Sequence, residues 1–388
     1  MRAKTPEEIA EIARLREELK EVKRQFGEEI LHHRIDIATL EILCEDYHLD
    51  IETVKKKERW YEIAHRVTET GVNGDDTTRL KVQPVCKALG HSRQAYYQER
   101  TERRRKAVDE QFIIDAVIQA RLIHPKCGTR KLLKYTRETL FRARLSIGRD
   151  RFFDILRSHD MLIKHSKASE PKTTRFDSSL PLSPNLVTGH VFDGPNQVFV
   201  ADITYIRCAD RFLYLTLITD LFSKDIVGWY LSDDLKTSGC LKALEMAYRI
   251  VPPGAQVIFH SDRGCQFASH EFRDKLTEYG MISSMTEVLH CYENSIAERV
   301  NGILKQEYYL DIEFKDRDEA LKAVKHVIDV YNKLRIHNSL GDITPAEARR
   351  NPELARPYVV AIQEAAIARA KTRKDKLAEA NEKRKATA

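Results

Sequence analysis

The strongest constraint on the fold comes after residue 195, where three strand patterns follow one another closely. They are rich in β-branched and aromatic residues and read VFVADITYI, FLYLTLITDL and DIVGWYLSD. Downstream, hydrophobic periodicity predicts a helix, a strand, a helix and a short strand, and then two longer helices over 294–309 and 318–335. Because sequential strands followed by alternating helices and strands build one sheet covered by helices, the sequence predicts an α/β mixed-sheet domain.

The composition is that of a folded protein with several domains. At roughly 100–200 residues per domain, 388 residues correspond to about two to four domains. Hydrophobic residues make up 42% of the chain, enough for a sizeable core, and the 65 Lys and Arg residues exceed the 59 Asp and Glu residues by only 6. Because a basic stripe attracts phosphate groups even in a nearly neutral protein, the local placement of charge matters more than the total.

Cysteine usage and hydropathy indicate a cytosolic protein. The seven cysteines are scattered and include no C-x-x-C pair, which argues against a zinc ribbon and favours reduced thiols. The N-terminus has no apolar signal-peptide core, and no stretch approaches the roughly 18 apolar residues of a membrane span. We therefore expect a protein of the cytoplasm that has no membrane partner.

The N-terminal region is predicted to contain an amphipathic helix over residues 5–33. Its apolar residues repeat with steps of three and four, as in a coiled-coil seam, and are Ile12, Leu15, Leu19, Val22 and Phe26. Two heptads do not decide between a coiled coil that joins two copies and a surface helix packed on its own domain. We assign residues 1–58 to an oligomerisation region and expect a homo-oligomer.

A helix-turn-helix pattern with a basic run occupies the next segment, residues 59–106. Over 79–98, an apolar helix face ends at Gly90, and Ser92 can cap a second helix that carries Arg93. The basic run that follows contains Arg103, Arg104, Arg105 and Lys106. Such a run is usually a solvated face, but beside a helix-turn-helix, contact with DNA phosphates becomes about as common an explanation.

Residues 107–162 are helical by pattern and form a candidate second DNA-binding unit. Within HPKCGTRKLLKYTRETL, a turn at Gly128 precedes a helix with Arg130 and Lys131, which we predict to bind DNA. Residues 163–186 lack periodicity and contain three prolines, so they read as an extended linker. The catalytic core is assigned to 187–350 and a basic helical tail to 351–388.

Three acids lie at positions typical of a metal-dependent site. Asp202 interrupts a hydrophobic strand, Asp262 ends the fourth strand, and Glu298 lies one turn into a helix that Asn294 can cap. A carboxylate inside an apolar strand costs several kcal/mol unless it is paired or binds a metal. Strand ends that open into loops are also where α/β sheets place their ligands.

Each acid taken alone is more often a capping, ion-paired or surface residue. The order of the three acids, their elements and the 35 residues (263–297) between the second and third favour a joint role. Carboxylates suit Mg²⁺, and two such ions can stabilise the attacking and leaving oxygens during phosphodiester cleavage. Because the three negative charges repel one another, such a site is strained until cations bind.

The core resembles the catalytic domain of the DDE transposases of the IS-three family of bacterial insertion sequences, relatives of retroviral integrases. The matching stretches are PNQVFVADITYI, LYLTLITDLFSKDIVGWYLSD, HSDRGCQF, SSMT, CYENSIAERVNGILKQEY and YNKLRIHNSLGDITPAEA. The resemblance implies a ribonuclease H-like core preceded by an all-α half with coiled-coil and helix-turn-helix units. It also implies that Asp202, Asp262 and Glu298 are the catalytic and metal-binding acids, with two Mg²⁺ ions or Mn²⁺ as a substitute.

Further positions of the family pattern are present. Lys305, two helical turns after Glu298, matches a basic residue of the family, for which we expect a contact with DNA phosphate. Tyr331, Asn332, Arg335 and His337 match the family's Y-N-x-x-R-x-H signature, with either a structural or a DNA-contact role. Upstream, ALGHSRQAYY and HPKCGTRKLL resemble the family's helical DNA-binding segments.

The family's usual N-terminal helix-turn-helix is missing, so either the chain begins partway along a frameshifted fusion or its branch dispenses with that module.

The resemblance implies a bacterial, nucleoid-associated transposase that cleaves double-stranded DNA at transposon ends and transfers the freed 3′-hydroxyl to target DNA. The alternative is a catalytically silent DNA-binding protein or repressor derived from a transposase. That alternative predicts a broken triad, whereas all three acids are present. A nuclease acting on RNA–DNA hybrids would share the core fold but would not need the helical half, and a pure oligomerisation adaptor would not need the core.

Overall fold

A computed structural model of the chain describes residues 14, 17–21, 24, 60–70, 79–163, 182–286 and 294–386, with side chains up to residue 372. Most of the predicted heptad residues and nearly all of the predicted linker 163–186 lie outside this range. Leu19 is described, is helical and has 54% of its surface exposed. The chain divides into two compact units, residues 1–113 and 114–388. The finer division predicted from the sequence stays a prediction.

The first unit contains the predicted pair of helices. Helix α1 is Trp60–His65, which continues as a π-turn over Arg66–Thr70, and helix α2 is Val82–Ala88. After a turn with Gly90 at φ +75°, helix α3 begins at Arg93 and extends to Ile123 in the second unit, so the predicted boundary at 106 lies within one continuous helix. Ser92 caps α3 as predicted, because its Oγ accepts a hydrogen bond from the Ala95 N–H at 3.0 Å.

The second unit contains most of the regular structure. Its helices are α4 (Thr129–Arg142), α5 (Arg149–Ser158), α6 (Thr237–Tyr248), α7 (Cys265–Ala268), α8 (His270–Glu278), α9 (Ser295–Tyr308), α10 (Arg317–Lys333), α11 (Pro345–Arg350) and α12 (Pro352–Ala386). Its strands are β1 (Val198–Cys208), β2 (Phe212–Asp220), β3 (Ile226–Ser232), β4 (Ile258–Ser261), β5 (Ile282–Met285) and β6 (Glu313–Phe314). A short 3₁₀ turn spans Asn338–Leu340.

The strands form one mixed sheet in the order β3-β2-β1-β4-β5. The pairs β1–β2 and β2–β3 are antiparallel, whereas β1–β4 and β4–β5 are parallel. The short β6 pairs in parallel with the end of β1 and was not predicted from the sequence. The arrangement confirms the predicted α/β class, with a ribonuclease H-like mixed sheet that follows a helical half.

Successive side chains of a strand point to opposite faces of the sheet. Both faces carry apolar side chains here, and helices cover both. On one face, Leu215 and Leu217 of β2 belong to a buried cluster with Val300 of α9 and Val324 of α10. On the other face, Phe199 and Ile218 belong to a cluster with residues of α6 and α8, which include Ala243, Leu244, Phe272 and Leu276. The helix that carries Glu298 therefore packs directly on the sheet that carries the two aspartates.

Gly228 in β3 allows the backbone of α6 to approach the sheet closely. A Cβ atom added at this position would collide with the Ala243 carbonyl oxygen and would lie 3.0 Å from the Ala247 Cβ. Since the clash involves backbone, rotation of a flexible side chain does not relieve it.

We therefore expect Gly228→Ala to destabilise the protein by about 1–3 kcal/mol, the usual cost of overpacking a core. The free energy of unfolding in urea, followed by circular dichroism, measures this effect. Gly194→Ala is the control, because the nearest atom to its added Cβ is a Gln197 side-chain atom at 3.5 Å. Equal stability of the two variants would contradict the proposed close approach.

Candidate active site

Asp202 and Asp262 lie side by side because of the parallel pairing of β1 and β4. The register pairs Ala201 with Ser261, and each aspartate is the next residue in its strand direction. Strand β4 ends at Ser261, whereas β1 continues and remains paired with β2 through Asp202. Asp262 therefore stands at the carboxyl end of a parallel strand, the edge at which α/β sheets bind their ligands.

Two hydrogen bonds hold the Asp202 carboxylate. Its Oδ1 accepts from the Ile203 N–H at 2.9 Å, and its Oδ2 accepts from the Asn301 amide at 2.7 Å. Burial raises the pKa of Asp202 to about 7, with further contributions from the negative charges of Asp262 and Glu298, although the two hydrogen bonds act in the opposite direction. The protein thus holds a carboxylate where its charge is poorly compensated.

Asp262 is fixed by the loop that follows β4. Its Oδ1 accepts a hydrogen bond from the Gly264 N–H at 3.0 Å. A Cβ atom added at Gly264 would lie 3.0 Å from the Asp262 Oδ1. Glycine at this position, directly before α7, therefore leaves space for the Asp262 carboxylate.

Glu298 approaches the aspartates from the first turn of α9. Asn294 occupies the N-cap position, but its side chain does not cap the helix as expected. Its amide instead donates to the Ala201 carbonyl of β1 at 2.9 Å, which ties the start of α9 to the strand beside Asp202. Burial and the charge of Asp262 raise the pKa of Glu298 above its ordinary value, so the third acid lies within electrostatic reach of the pair.

Asn301 and Lys305 share with Glu298 the face of α9 that is turned to β1. Asn301 bonds Asp202, and Lys305 is 6% exposed, with its Nζ 3.7 Å from the centre of the Tyr205 ring. Sequence reasoning missed Asn301, although its position one turn after Glu298 was the available signal. The predicted contact of Lys305 with DNA phosphate stays a prediction, and in this structure the ammonium lies over an aromatic ring of β1.

The structure brings Asp202 and Asp262 together and places Glu298 near them. Among the residues that the structure describes, no three His, Cys, Asp or Glu side chains gather into a group that could hold a metal ion. The three acids therefore do not form a closed ligand set in this conformation. All three groups are oxygen donors of the kind that Mg²⁺ prefers. The raised pKa values of Asp202 and Glu298 reflect first their burial and then the negative charge of Asp262.

Arg103, predicted to bind DNA, makes several contacts within its own unit. Its guanidinium forms ion pairs with Glu62 at 3.1 Å and with Glu99 at 2.8 Å. It also lies 4.7 Å from the centre of the Tyr61 ring. These contacts link α3 to α1 and supply a structural role for this arginine.

Other members of the basic run are partly neutralised as well. Arg105 and Lys106 lie 3.4 and 3.8 Å from the Glu102 carboxylate, whereas Arg104 is exposed. Arg93 lies over the ring of Tyr97 at 5.6 Å. Their role in DNA binding stays a prediction, and the glutamates reduce the net positive charge of this surface.

Arg130 and Lys131, the other predicted DNA-binding residues, lie in the first turn of α4. Both line a cleft between α4 and α9, where Arg130 is exposed and Lys131 is half-buried. Burial, together with the positive charge of Arg335, lowers the pKa of Lys131 to about 8.

The Y-N-x-x-R-x-H signature residues make structural contacts. Arg335 is 2% exposed and forms two hydrogen bonds with the Glu307 carboxylate, at 2.8 and 2.9 Å. Its Nη1 lies 2.7 Å from the ring nitrogen Nε2 of His337, and Tyr331 is fully buried. The Asn332 amide pairs with both backbone groups of the first residue of β3, at 2.9 and 3.0 Å. These contacts favour the structural alternative over contact with DNA.

The five cysteines that the structure describes form no disulfide. In the described part of the chain, no helix is both long enough and apolar enough to cross a membrane.

Comparison with known proteins shows which families the chain is similar to. Residues 193–291 and 279–345 match two family profiles, each described as an integrase core domain. The chain is 32% identical over 269 residues to the 31 kDa protein of insertion element IS600 from Shigella sonnei, covering 68% of this chain and 97% of that protein. It is 32% identical over 202 residues to transposase InsF of insertion sequence IS3A from Escherichia coli K12, covering 52% of this chain and 69% of that transposase. A transposase of insertion sequence IS629 from Shigella sonnei is 36% identical over 160 residues, covering 41% of this chain and 54% of that protein.

Solved structures with partial similarity include retroviral integrases. The catalytic core of the HTLV-2 integrase in complex with magnesium matches with a TM-score of 0.32 and 21% identity, over 40% of this chain and 96% of the integrase core. A simian T-cell lymphotropic virus intasome structure matches with a TM-score of 0.36 and 19% identity, over 57% of this chain and 70% of that one.

The crowding of negative charge at Asp202 predicts a gain in stability when that charge is removed. In EDTA at pH 8, we expect Asp202→Asn to raise the free energy of unfolding by roughly 1–3 kcal/mol, the scale of one or two pKa units. The substitution relieves desolvation and repulsion from Asp262. The single amide oxygen of the new side chain can accept from either Ile203 or Asn301, so one of the two present hydrogen bonds is lost, and the expected gain is net of that loss. Urea unfolding measures the change.

The matched control is Asp274→Asn on α8, an exposed aspartate for which we expect a change below about 0.5 kcal/mol. A destabilised Asp202→Asn protein would show that the carboxylate is well compensated and would contradict the strained-site description.

Proposed function

Because the chain belongs to the IS3 family of insertion-sequence transposases, whose members act in DNA transposition, we propose that it cuts DNA at the ends of a mobile element and joins them to target DNA. Asp202, Asp262 and Glu298 are its proposed catalytic acids. The substrate is double-stranded DNA, both at the element ends and at the target, and the working form is a homo-oligomer.

One observation carries the proposal: two aspartates stand on adjacent parallel strands, and a third acid faces them from a helix packed on the same sheet. Burial and mutual repulsion raise the pKa of Asp202 to about 7, so the site favours any positive charge that enters it. An all-oxygen donor set of this kind fits Mg²⁺, or Mn²⁺ as a substitute, with two ions per site. When bound, such ions activate the attacking hydroxyl and stabilise the leaving oxygen.

The chain's own residues would hold the site in place. The Asn301 amide orients the Asp202 carboxylate, the Gly264 N–H orients that of Asp262, and Asn294 anchors the start of α9 beside them. Glu298 stands near the pair on the first turn of α9 and would complete the ligand set. Because α9 packs on the sheet, Glu298 has little room to move as it joins the two aspartates.

The proposed reaction has two phosphoryl-transfer steps. In the first, water attacks a phosphodiester at the element end, the bond from phosphorus to the 3′ oxygen breaks, and a 3′-hydroxyl is released. In the second, that hydroxyl attacks a target phosphodiester, a new phosphorus–oxygen bond forms, and the target's 3′ oxygen leaves and takes up a proton. Each step exchanges one phosphorus–oxygen bond for another, so no covalent enzyme intermediate is required.

The first prediction concerns catalysis. Glu298→Gln keeps the shape of the side chain and removes its charge, so we expect DNA binding to be unchanged. Cleavage and joining of duplexes that carry the element's terminal repeats, in Mg²⁺ or Mn²⁺, should fall by at least about 10²-fold.

Glu271→Gln, an exposed substitution on α8, is the control and should retain full activity. If Glu298→Gln cleaves as fast as the unaltered chain, Glu298 is not the third acid. If neither chain cleaves and both bind DNA, the silent DNA-binding protein replaces the enzyme.

The second prediction concerns metal binding without any reaction. A cation that binds only the folded protein stabilises it by about 2.7 kcal/mol at 100-fold its dissociation constant. Mg²⁺ or Mn²⁺ should therefore raise the Tm of the unaltered chain, measured by differential scanning fluorimetry without DNA.

This stabilisation should be lost in Asp202→Asn and Asp262→Asn and retained in Asp274→Asn. An equal metal-induced shift in all four proteins would mean that the cation binds elsewhere.

A further inference from the structure

A cleft of about 560 Å³ separates the start of α4 from the middle of α9. Arg130 and Lys131 line its α4 side, and Lys126 lines it from the turn before that helix. Arg299, Gly302 and Gln306 line its α9 side. Both walls belong to the second unit, and one of them is the helix that carries Glu298.

The cleft has an excess of positive charge. Its four basic side chains face two acids, Glu307 and Asp311. Glu307 is already engaged, because Arg335 donates to both of its carboxylate oxygens. Burial alone would raise the pKa of Glu307. The pKa nevertheless lies below its ordinary value, because the Arg335 guanidinium stabilises the charged carboxylate. Glu307 therefore offers the cleft little further compensation.

The side chains of three cations of the cleft have no direct hydrogen bond or ion pair within the described part of the chain, although Glu307 acts on Lys131 and Arg299 at longer range. The three side chains are those of Arg130, Lys131 and Arg299. This differs from the basic run of α3, where Arg103, Arg105 and Lys106 form ion pairs with glutamates. Four clustered cations are only partly compensated by two acids, one of which is already bonded to Arg335, and an anionic ligand would reduce their mutual repulsion.

The geometry of α9 connects the cleft to the candidate active site. With 3.6 residues per turn, Glu298, Asn301 and Lys305 fall on one face of the helix, and residues 299, 302 and 306 fall on the adjacent face. The first face contacts β1, and the second opens into the cleft. Arg299 directly follows Glu298, so a ligand held by Arg299 lies next to the third acid.

We propose that this cleft binds the sugar–phosphate backbone of DNA and that Arg299 is a positioning residue that holds the backbone beside Glu298. The inference rests on the proposed function and adds a phosphate-binding surface to it. Cations on both walls of the cleft suit a chain of phosphates. Gly302 leaves the α9 wall open, since an added Cβ there meets no atom within 4 Å. The contacts are to backbone rather than to bases, so DNA carrying the element's ends and unrelated DNA should bind this surface alike.

The first test removes charge from both walls. In EDTA, the double variant Arg130→Gln/Arg299→Gln should bind a fluorescent DNA duplex at least about tenfold more weakly, by anisotropy, whether or not the duplex carries the terminal repeats. Because each lost phosphate contact lowers the salt slope by about 0.9, the slope of log K against log salt should become shallower by nearly two. The control is Lys242→Gln/Arg249→Gln, which changes the charge equally on an exposed residue of α6 and on the exposed residue that follows it, on the other face of the sheet.

The second test changes the cleft through a residue that has no charge. Gly302→Ala should stabilise α9 by up to about 1 kcal/mol through helix propensity and leave DNA binding unchanged. Gly302→Glu favours the helix as well but places a carboxylate in the cleft, so it should weaken DNA binding at least about tenfold. Urea unfolding of both variants confirms that any loss of binding comes from a folded protein.

Two outcomes would overturn the inference: equal weakening by the α6 control, which would indicate a general charge effect, or unchanged DNA binding by Gly302→Glu. Failure of the proposed catalytic site is a separate result, because the cleft variants are measured without metal and without cleavage. If Glu298→Gln still cleaves DNA while the cleft variants bind weakly, the triad assignment falls and the cleft stands.

Discussion

The parallel pairing of β1 with β4 is the constraint on which the candidate site depends. By pairing Ala201 with Ser261, it places the next residue of each strand, Asp202 and Asp262, side by side at the edge where β4 ends. Two carboxylates in that position repel each other, and burial adds to the cost of charging them. The sheet tolerates the arrangement because apolar clusters on both of its faces, with α9 and α10 on one side and α6 and α8 on the other, fix the strands that carry the acids.

Helix α9 connects most of the features described. One face reaches the sheet, where Asn301 bonds Asp202, and Asn294 at its start bonds the carbonyl just before that aspartate. Near its end, Glu307 accepts two hydrogen bonds from the buried Arg335, which ties the helix to the segment after α10. A buried ion pair of this kind adds little net stability compared with apolar residues, yet the loss of one partner is costly, so it fixes the position of α9 more than it strengthens the fold.

Much of the core could be predicted from the sequence because its signals are local. Strand alternation and helical periodicity located the longer elements between Val198 and Lys333, although not the short α7 and β6. A carboxylate within an apolar strand identified Asp202 as unusual. The contacts that organise the site could not be predicted in this way. The bond of Asn301 to Asp202 joins residues 99 positions apart, and the amide of Asn294, an ordinary capping residue by pattern, bonds a strand instead of its own helix. Likewise, the glutamates that neutralise Arg103 come partly from another helix, Glu62 in α1, so the run of basic residues overstated the charge of that surface.

The poorly compensated charge of the site's carboxylates also affects how copies of a mobile element lose their catalytic residues over time. Natural sequences are held near a threshold of stability, and substitutions that lower it are purged because the protein no longer folds. That filter protects the apolar clusters and the Arg335–Glu307 pair. It does not protect Asp202, because we expect the loss of this charge to leave the fold intact, so a requirement for a folded chain does not select against changes at this position. An inactivated copy would therefore persist as a folded protein, and any DNA-binding surface remote from Asp202 would persist with it.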